Sequence, residues 1–150
     1  MSKEAVKLIV KNRKAHFEYE LLDHYEAGLV LTGTEVKSIR QGKVSLQESY
    51  ISIERGEAYI RGMHIAPYEQ GNRFNPDPDR KRKLLLHKRE IYQLRTKVQQ
   101  DGLTIVPVKL YFKNGKVKLE IALGRGKKLY DKRESIKRRE QERALARGGY

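Results

Sequence analysis

Apolar and polar positions alternate most regularly between Leu103 and Leu123. Val106, Val108, Leu110 and Phe112 alternate with Pro107, Lys109 and Tyr111. After Lys113-Asn114-Gly115-Lys116 the chain returns with Val117, Leu119, Ile121 and Leu123 against Lys118 and Glu120. Period-two alternation sends side chains to opposite faces of a strand. Asn-Gly between two such runs predicts a type I′ hairpin, because both central residues of that turn need positive φ. A half-buried hairpin thus hands over at Gly124 to a segment with few apolar residues and many cations. Gly124-Arg125-Gly126 reads either as a flexible exit from the folded body or as a weak phosphate loop, lacking a third glycine and a following helix.

Upstream, the pattern changes period several times. Residues 1–14 form a short basic arm ending in Lys11-Asn12-Arg13-Lys14. From His16 to Leu31, the alternation of Phe17, Tyr19 and Leu21 is followed by that of Tyr25, Ala27, Leu29 and Leu31. A long bent strand, or two strands with a bulge near Asp23-His24, fits this break in phase. Gly33 to Gly42 reads as a short helix, with Thr32 or Thr34 as its cap, Val36 and Ile39 facing inward and Gly42 as its stop. Ser45 to Ile53 and Ala58 to Ile65 form a strand pair around Glu54-Arg55-Gly56-Glu57, with imperfect alternation that predicts a bulge. Residues 66–79 hold three of the four prolines and read as a long loop. His87 and Glu90 have capping-box spacing ahead of a helix with Ile91, Leu94 and Val98 on one face and Gly102 at its end.

Charge then changes the picture. The chain has 150 residues and a formal net charge of +14, with no cysteine. That excess points to a polyanionic partner, nucleic acid being the commonest, although a merely basic solvated surface is the plainer alternative. Disulfides and cysteine-based metal sites are excluded. No apolar run approaches the length of a membrane span, and the N-terminus lacks a signal-peptide apolar stretch, so a soluble, cytoplasmic chain is expected. Residues 124–150 carry ten Lys or Arg against four Asp or Glu, with only Leu129, Ile136 and Leu145 as large aliphatics. Such a segment cannot bury enough apolar area to offset its ordering entropy. It is expected to be disordered when free and able to form a helix on a partner.

Catalytic signals are weak. The four histidines at 16, 24, 64 and 87 have no metal-ligand spacing, and no P-loop or nucleophile elbow is present. No enzyme activity and no cofactor are expected. A nuclease using Glu18, Glu20 and Glu26 is the rival from that class. The basic clusters are stronger: Arg13-Lys14, Lys37 with Arg40, Arg80 to Lys83, Lys127-Lys128 and Lys132-Arg133. Tyr68, Tyr92, Tyr111 and Tyr130 lie among them, available to stack on unpaired bases. The expected architecture is mostly β: a closed antiparallel barrel of the oligonucleotide-binding (OB) type with two or three flanking helices. The arm would occupy residues 1–14, the barrel 15–125 and the basic tail 126–150. A ribosomal or translation-factor barrel binding rRNA is a rival within this class.

Four stretches together resemble the bacterial SsrA-binding protein (SmpB) family: Glu26 to Arg40, His64 to Pro78, Arg82 to Ile91, and Pro107 to Gly115 running on to Gly126 through Glu134. The resemblance implies an OB-type barrel that binds the tRNA-like domain of transfer-messenger RNA (tmRNA). It implies delivery of that RNA to ribosomes stalled on truncated messages, where the protein stands in for the missing anticodon arm. It implies a tail that enters the decoding centre and empty mRNA channel and folds there into a helix. By motif, Asn12, Glu26, Leu85 and His87 fall at positions tied to tmRNA binding. Gly126, Lys127, Lys128, Tyr130, Asp131, Lys132 and Arg133 match the part read in the decoding centre, and Ile136, Lys137 and Arg138 begin the tail helix. With Arg13, Lys14, Lys37, Arg40, Arg82 and Lys83 from the basic clusters, these are the candidate contacts. Glu26, a carboxylate facing RNA, is expected either to accept hydrogen bonds from bases or 2′-hydroxyls, or to orient a nearby arginine. The expected partners are tmRNA and the ribosome, and the expected state is a monomer.

Overall fold

A computed structural model of the chain describes residues 5–69 and 75–127. Nine strands and three helices follow in the order β1 (Val6–Lys11), α1 (Arg13–Glu18), β2 (Tyr19–Leu29), α2 (Gly33–Arg40), β3 (Val44–Ser45), β4 (Tyr50–Glu54), β5 (Glu57–Arg61), β6 (His64–Ile65), β7 (Arg82–Leu85), α3 (Lys88–Asp101), β8 (Thr104–Lys113) and β9 (Lys116–Gly126). The main sheet is antiparallel, in the order β1-β8-β9-β2-β7-β5-β4, and β3 pairs with β6 in a second ladder.

The expected barrel is not closed. β4 lies alongside β8, but no ladder joins them. Pro107 offers β8 no N–H, and its carbonyl is taken by Asn12 Nδ2 at 2.8 Å. The space between β4 and β8 is lined at one end by Val98 and Leu103, with Ile51, Ile53 and Ile105 opposite. An open depression, rather than a hydrogen-bonded ladder, lies along the seam.

The hairpin forms as its pattern dictates. Asn114 and Gly115 have φ of 53° and 80°. Leu119, Ile121 and Leu123 are fully buried in the core with Ala27, Ile60, Leu84, Leu94 and Leu110. On β8 the alternation is interrupted. The register slips between Pro107 and Lys109, so Ile105 and Pro107 face Leu123 and Ile121, while beyond the slip Leu110 pairs with Leu119 and Phe112 with Val117. Val106 and Val108 are buried on the other side of the sheet, where α1 packs on β2 and β8 with Ala15 buried. Asn12 holds this irregularity: its N–H donates to Val108 O at 2.8 Å and its amide to Pro107 O. Two successive carbonyls pointing the same way are what a bulge produces.

Four expectations need correction. Val6–Lys11 is no free arm but an edge strand on β8. Arg13–Glu18 is a helical turn rather than the start of a strand. Gly124 is no flexible exit: it sits inside β9, where an added Cβ would lie 2.9 Å from Val106 Cγ2 and 3.1 Å from Tyr19. The strand pair over 45–65 is broken into β4/β5 and β3/β6, not simply bulged. The corner is at Gly62, with φ of 75°, where Glu48 O would stand 2.4 Å from any Cβ.

Helix α2 carries a full capping box. Thr32 Oγ1 accepts from Glu35 N–H at 3.2 Å and Thr32 N–H donates to Glu35 Oε1 at 2.9 Å. Gly42 follows the helix with φ of 74°. At α3, Glu90 Oε1 accepts from His87 N–H at 2.9 Å, and Gly102 ends the helix in the left-handed region at φ 64°.

Candidate nucleic-acid interface

Cross-strand register decides which side chains share the outer face of β1, β8, β9, β2 and β7, because directly opposed residues point the same way. One row runs Lys11, Lys109, Glu120, Glu26. The next runs Leu8, Tyr111, Lys118, Gly28, Leu85. A third begins Val6, Lys113, Lys116. Glu26 stands between two depressions on this face. One, of about 480 Å³, is shared with Lys83, Leu85, His87 and Lys118. The other, of about 240 Å³, is shared with Leu8, Lys109, Tyr111 and Lys113. Gly28 lets the sheet stay open here: its Cβ would touch Leu85 Cβ at 3.3 Å.

Electrostatics fix the Glu26 carboxylate. The Tyr111 hydroxyl donates to Oε2, and Lys113 Nζ lies 3.3 Å from both oxygens. The Tyr111 hydrogen bond, helped by Lys113 and Lys118 against a smaller opposing effect of burial, holds the carboxyl below its usual pKa. Burial first, and the Glu26 contact second, push the Tyr111 hydroxyl well above its ordinary value, so it stays a donor. The cation beside Glu26 is thus a lysine, where one of the two expectations for this carboxylate named an arginine. Glu120, opposite Glu26, lies 3.5 Å from His24 Nδ1.

The expected site residues of the folded body fall in four places. Glu26, Lys83, Leu85 and His87 converge on the larger depression, with Leu85 53% exposed. Lys37 and Arg40 are exposed on α2, away from it, and Lys37 Nζ lies 5.4 Å over the Tyr68 ring. Arg13 and Lys14 are exposed on α1. Asn12 and Arg82 are buried, and their side chains are engaged within the fold. Asn12 is 6% exposed and ties β1 to the β8 bulge. Arg82 is fully buried: Nε donates to Glu35 Oε2 at 2.6 Å, Nη1 to Met63 O at 2.6 Å, and Nη2 to Pro78 O at 3.0 Å. Arg80 donates to the same carboxylate, Nε to Oε2 at 3.0 Å. Two guanidinium groups sharing one carboxylate explain how such a basic run enters the core.

Of the tyrosines expected to stack, Tyr92 is 71% exposed, while Tyr111 is 6% exposed and committed to Glu26. Tyr68 is half-buried at the stem of the 66–79 loop, which Asn75 closes with bonds to Tyr68 N–H and O at 2.7 and 2.9 Å. In the tail, Gly126 ends β9 opposite Tyr19, and Lys127 is exposed. Lys128, Tyr130, Asp131, Lys132, Arg133, Ile136, Lys137 and Arg138 lie outside the described residues, as does the expectation of a disordered tail. Sequence reading missed Leu8, Lys109, Lys113 and Lys118 as face residues. Alternation had set Lys109 and Lys118 on the polar face of the hairpin, but their alignment with Leu8 and Glu26 needs the β1–β8 and β2–β9 pairings.

An antiparallel sheet with an outer face of lysines, exposed apolar side chains and an anchored carboxylate belongs to the class of open β-sheet proteins with a basic face. Comparison with known proteins makes this specific. The family model described as "SmpB protein" matches residues 9–149. An "SsrA-binding protein" of Oleidesulfovibrio alaskensis is 61% identical over 140 residues, covering 93% of this chain and 90% of that one. Another, of Desulforudis audaxviator, is 54% identical over 147 residues, covering 98% and 96%. A solved structure described as "tmRNA-SmpB: a journey to the center of the bacterial ribosome" aligns with a TM-score of 0.66 at 53% identity, covering 79% of this chain and 83% of that chain. The chain belongs to the SmpB family.

Proposed function

We propose that the chain is an RNA-binding adaptor of trans-translation. It binds the tRNA-like domain of tmRNA, delivers it to stalled ribosomes in the cytoplasm and stands in for the missing anticodon arm. Its tail, from Gly126 through Lys127, Lys128, Tyr130 and beyond, occupies the decoding centre and the empty mRNA channel. The observation that carries the binding half of this reading is the convergence of Glu26, Lys83, Leu85, His87 and Lys118 on one depression. Family membership supports the rest, since relatives are named for SsrA binding and the matched structure is described with tmRNA and the ribosome.

The chemistry of the face favours binding over turnover. Lysines neutralise phosphate, Leu85 offers an apolar platform to a ribose or unpaired base, and Glu26 retains exposed lone pairs for a base amino group or 2′-hydroxyl. Glu26 is engaged by Tyr111 and Lys113, and Glu120, directly opposite it, lies 3.5 Å from His24 Nδ1. The test is to purify the chain gently from cells and sequence the RNA that accompanies it. Enrichment of tmRNA is expected. Recovery of rRNA fragments alone would overturn the reading, as would cleavage of labelled RNA on incubation with a divalent cation.

A further inference from the structure

Lys11 on β1 and Lys109 on β8 are directly opposed across the ladder and share the outer face. Like charges in such a pair are destabilising. Neither is within ion-pair distance of a carboxylate in the contacts of the described residues, and Lys109 Nζ stands 5.7 Å over the Tyr111 ring. Beside them Leu8 and Val6 are 55% and 57% exposed on the edge strand. On its other side Lys109 is opposed to Glu120, whereas Lys11, on the edge strand, has the Lys109 cation as its cross-strand neighbour. Lysines paired edge to edge, with an apolar strip alongside, match a strand of RNA whose phosphates meet the cations and whose ribose or unpaired base lies on the aliphatic side chains.

The bulge held by Asn12 creates this half of the face. Without the one-residue slip between Pro107 and Lys109, the side chains beyond it would turn to the opposite side of the sheet. Lys109, Tyr111 and Lys113 face outward with Glu26 because Asn12 captures both bulge carbonyls. The depression containing Leu8, Lys109 and Lys113 is continuous with the Glu26 groove, since Glu26 lines both.

We infer that the RNA footprint does not stop at Glu26 but crosses β8 to the β1 edge, where Lys11 and Lys109 contact the phosphate backbone and Leu8 supports a nucleoside. This rests on the RNA-binding reading above and adds a second contact area to it.

The test uses the full chain and a transcribed tRNA-like fragment of tmRNA, with affinity measured across a salt series. The double variant Lys11→Gln/Lys109→Gln should lower the slope of log affinity against log salt by about 1 per lysine. Its thermal midpoint should be no lower than that of the original chain, because a repulsion has been removed. A slope unchanged within half a unit would overturn the inference, whether the edge is then idle or serves a protein partner. Leu85→Asn, measured in parallel, separates the two readings. If it weakens binding while the lysine variant does not, the second contact area alone fails. If neither variant weakens binding, the assignment of the whole face to RNA fails.

Discussion

The Tyr111 hydroxyl on β8 reaches across β9 to the Glu26 carboxylate on β2. A donor that never ionises near neutral pH thus fixes an acid at the centre of a basic face. Tyr111→Phe should release it. The Glu26 carboxyl pKa should rise toward its usual value, which a carboxyl NMR titration would read directly. RNA affinity should fall, and the loss of a hydrogen bond to a charged group should lower stability by about 1–2 kcal/mol. Because the Glu26 pKa is depressed in the folded chain, its contribution to stability is present above the unfolded value of about 4.3 and is lost as pH falls through the folded value. The Phe variant should therefore lose less stability on acidification; an unchanged acid profile would show that the contact is not formed in solution.

Glu35 is a second anchored acid, with a different task. Burial alone would raise its pKa, but hydrogen bonds from Arg80, Thr32 N–H and Arg82 outweigh that and hold it low. Glu35→Ala would strip the partner from a fully buried guanidinium and remove half of the α2 capping box. It should cost about 3–5 kcal/mol in denaturant unfolding. A cost under about 1 kcal/mol would contradict the buried network.

Leu85 separates binding from folding. It is half-exposed, so Leu85→Asn should change stability by no more than about 0.5 kcal/mol. Its place in the Glu26 depression predicts a loss of RNA affinity of about 1–2 kcal/mol. Parallel thermal melts and RNA titrations would check the pair of outcomes; equal losses in both would point to a folding defect.

Truncation after Gly126 tests the tail. Gly126 is the last residue paired to β2, so the cut leaves the sheet ladder whole. RNA affinity should be nearly retained, with a slope of about 0.7–0.9 per neutralised phosphate in the salt series, while activity on stalled ribosomes should vanish. Loss of free-RNA binding on truncation would reassign the roles of body and tail.

Local signals carried much of this fold into the sequence. The Asn114-Gly115 turn, the Thr32 cap and the left-handed Gly102 each follow from chemistry within a few residues. β1 was hidden because Val6–Lys11 is a short edge strand whose pairing to β8 spans about a hundred residues of chain. α1 was hidden because its six residues bury only Ala15. The burial of Arg82 was illegible because four consecutive cations look alike until a carboxylate 47 residues away selects one of them. The slip at Pro107 was illegible too: it puts Val106 on the side of β8 away from Leu110, where unbroken alternation groups the two, and no local signal announces it.

The unlatched seam has a consequence for recognition. A barrel sealed all the way round can change its girth only by tearing hydrogen bonds. Here no ladder joins the two flanks, and the depression between them is lined by Ile51, Ile53, Val98 and Ile105 together with Arg95 and Gln99, so a shift across it breaks no backbone hydrogen bond. The curvature of the lysine-bearing wall can therefore adjust to an irregular RNA surface while every existing strand pairing stays intact.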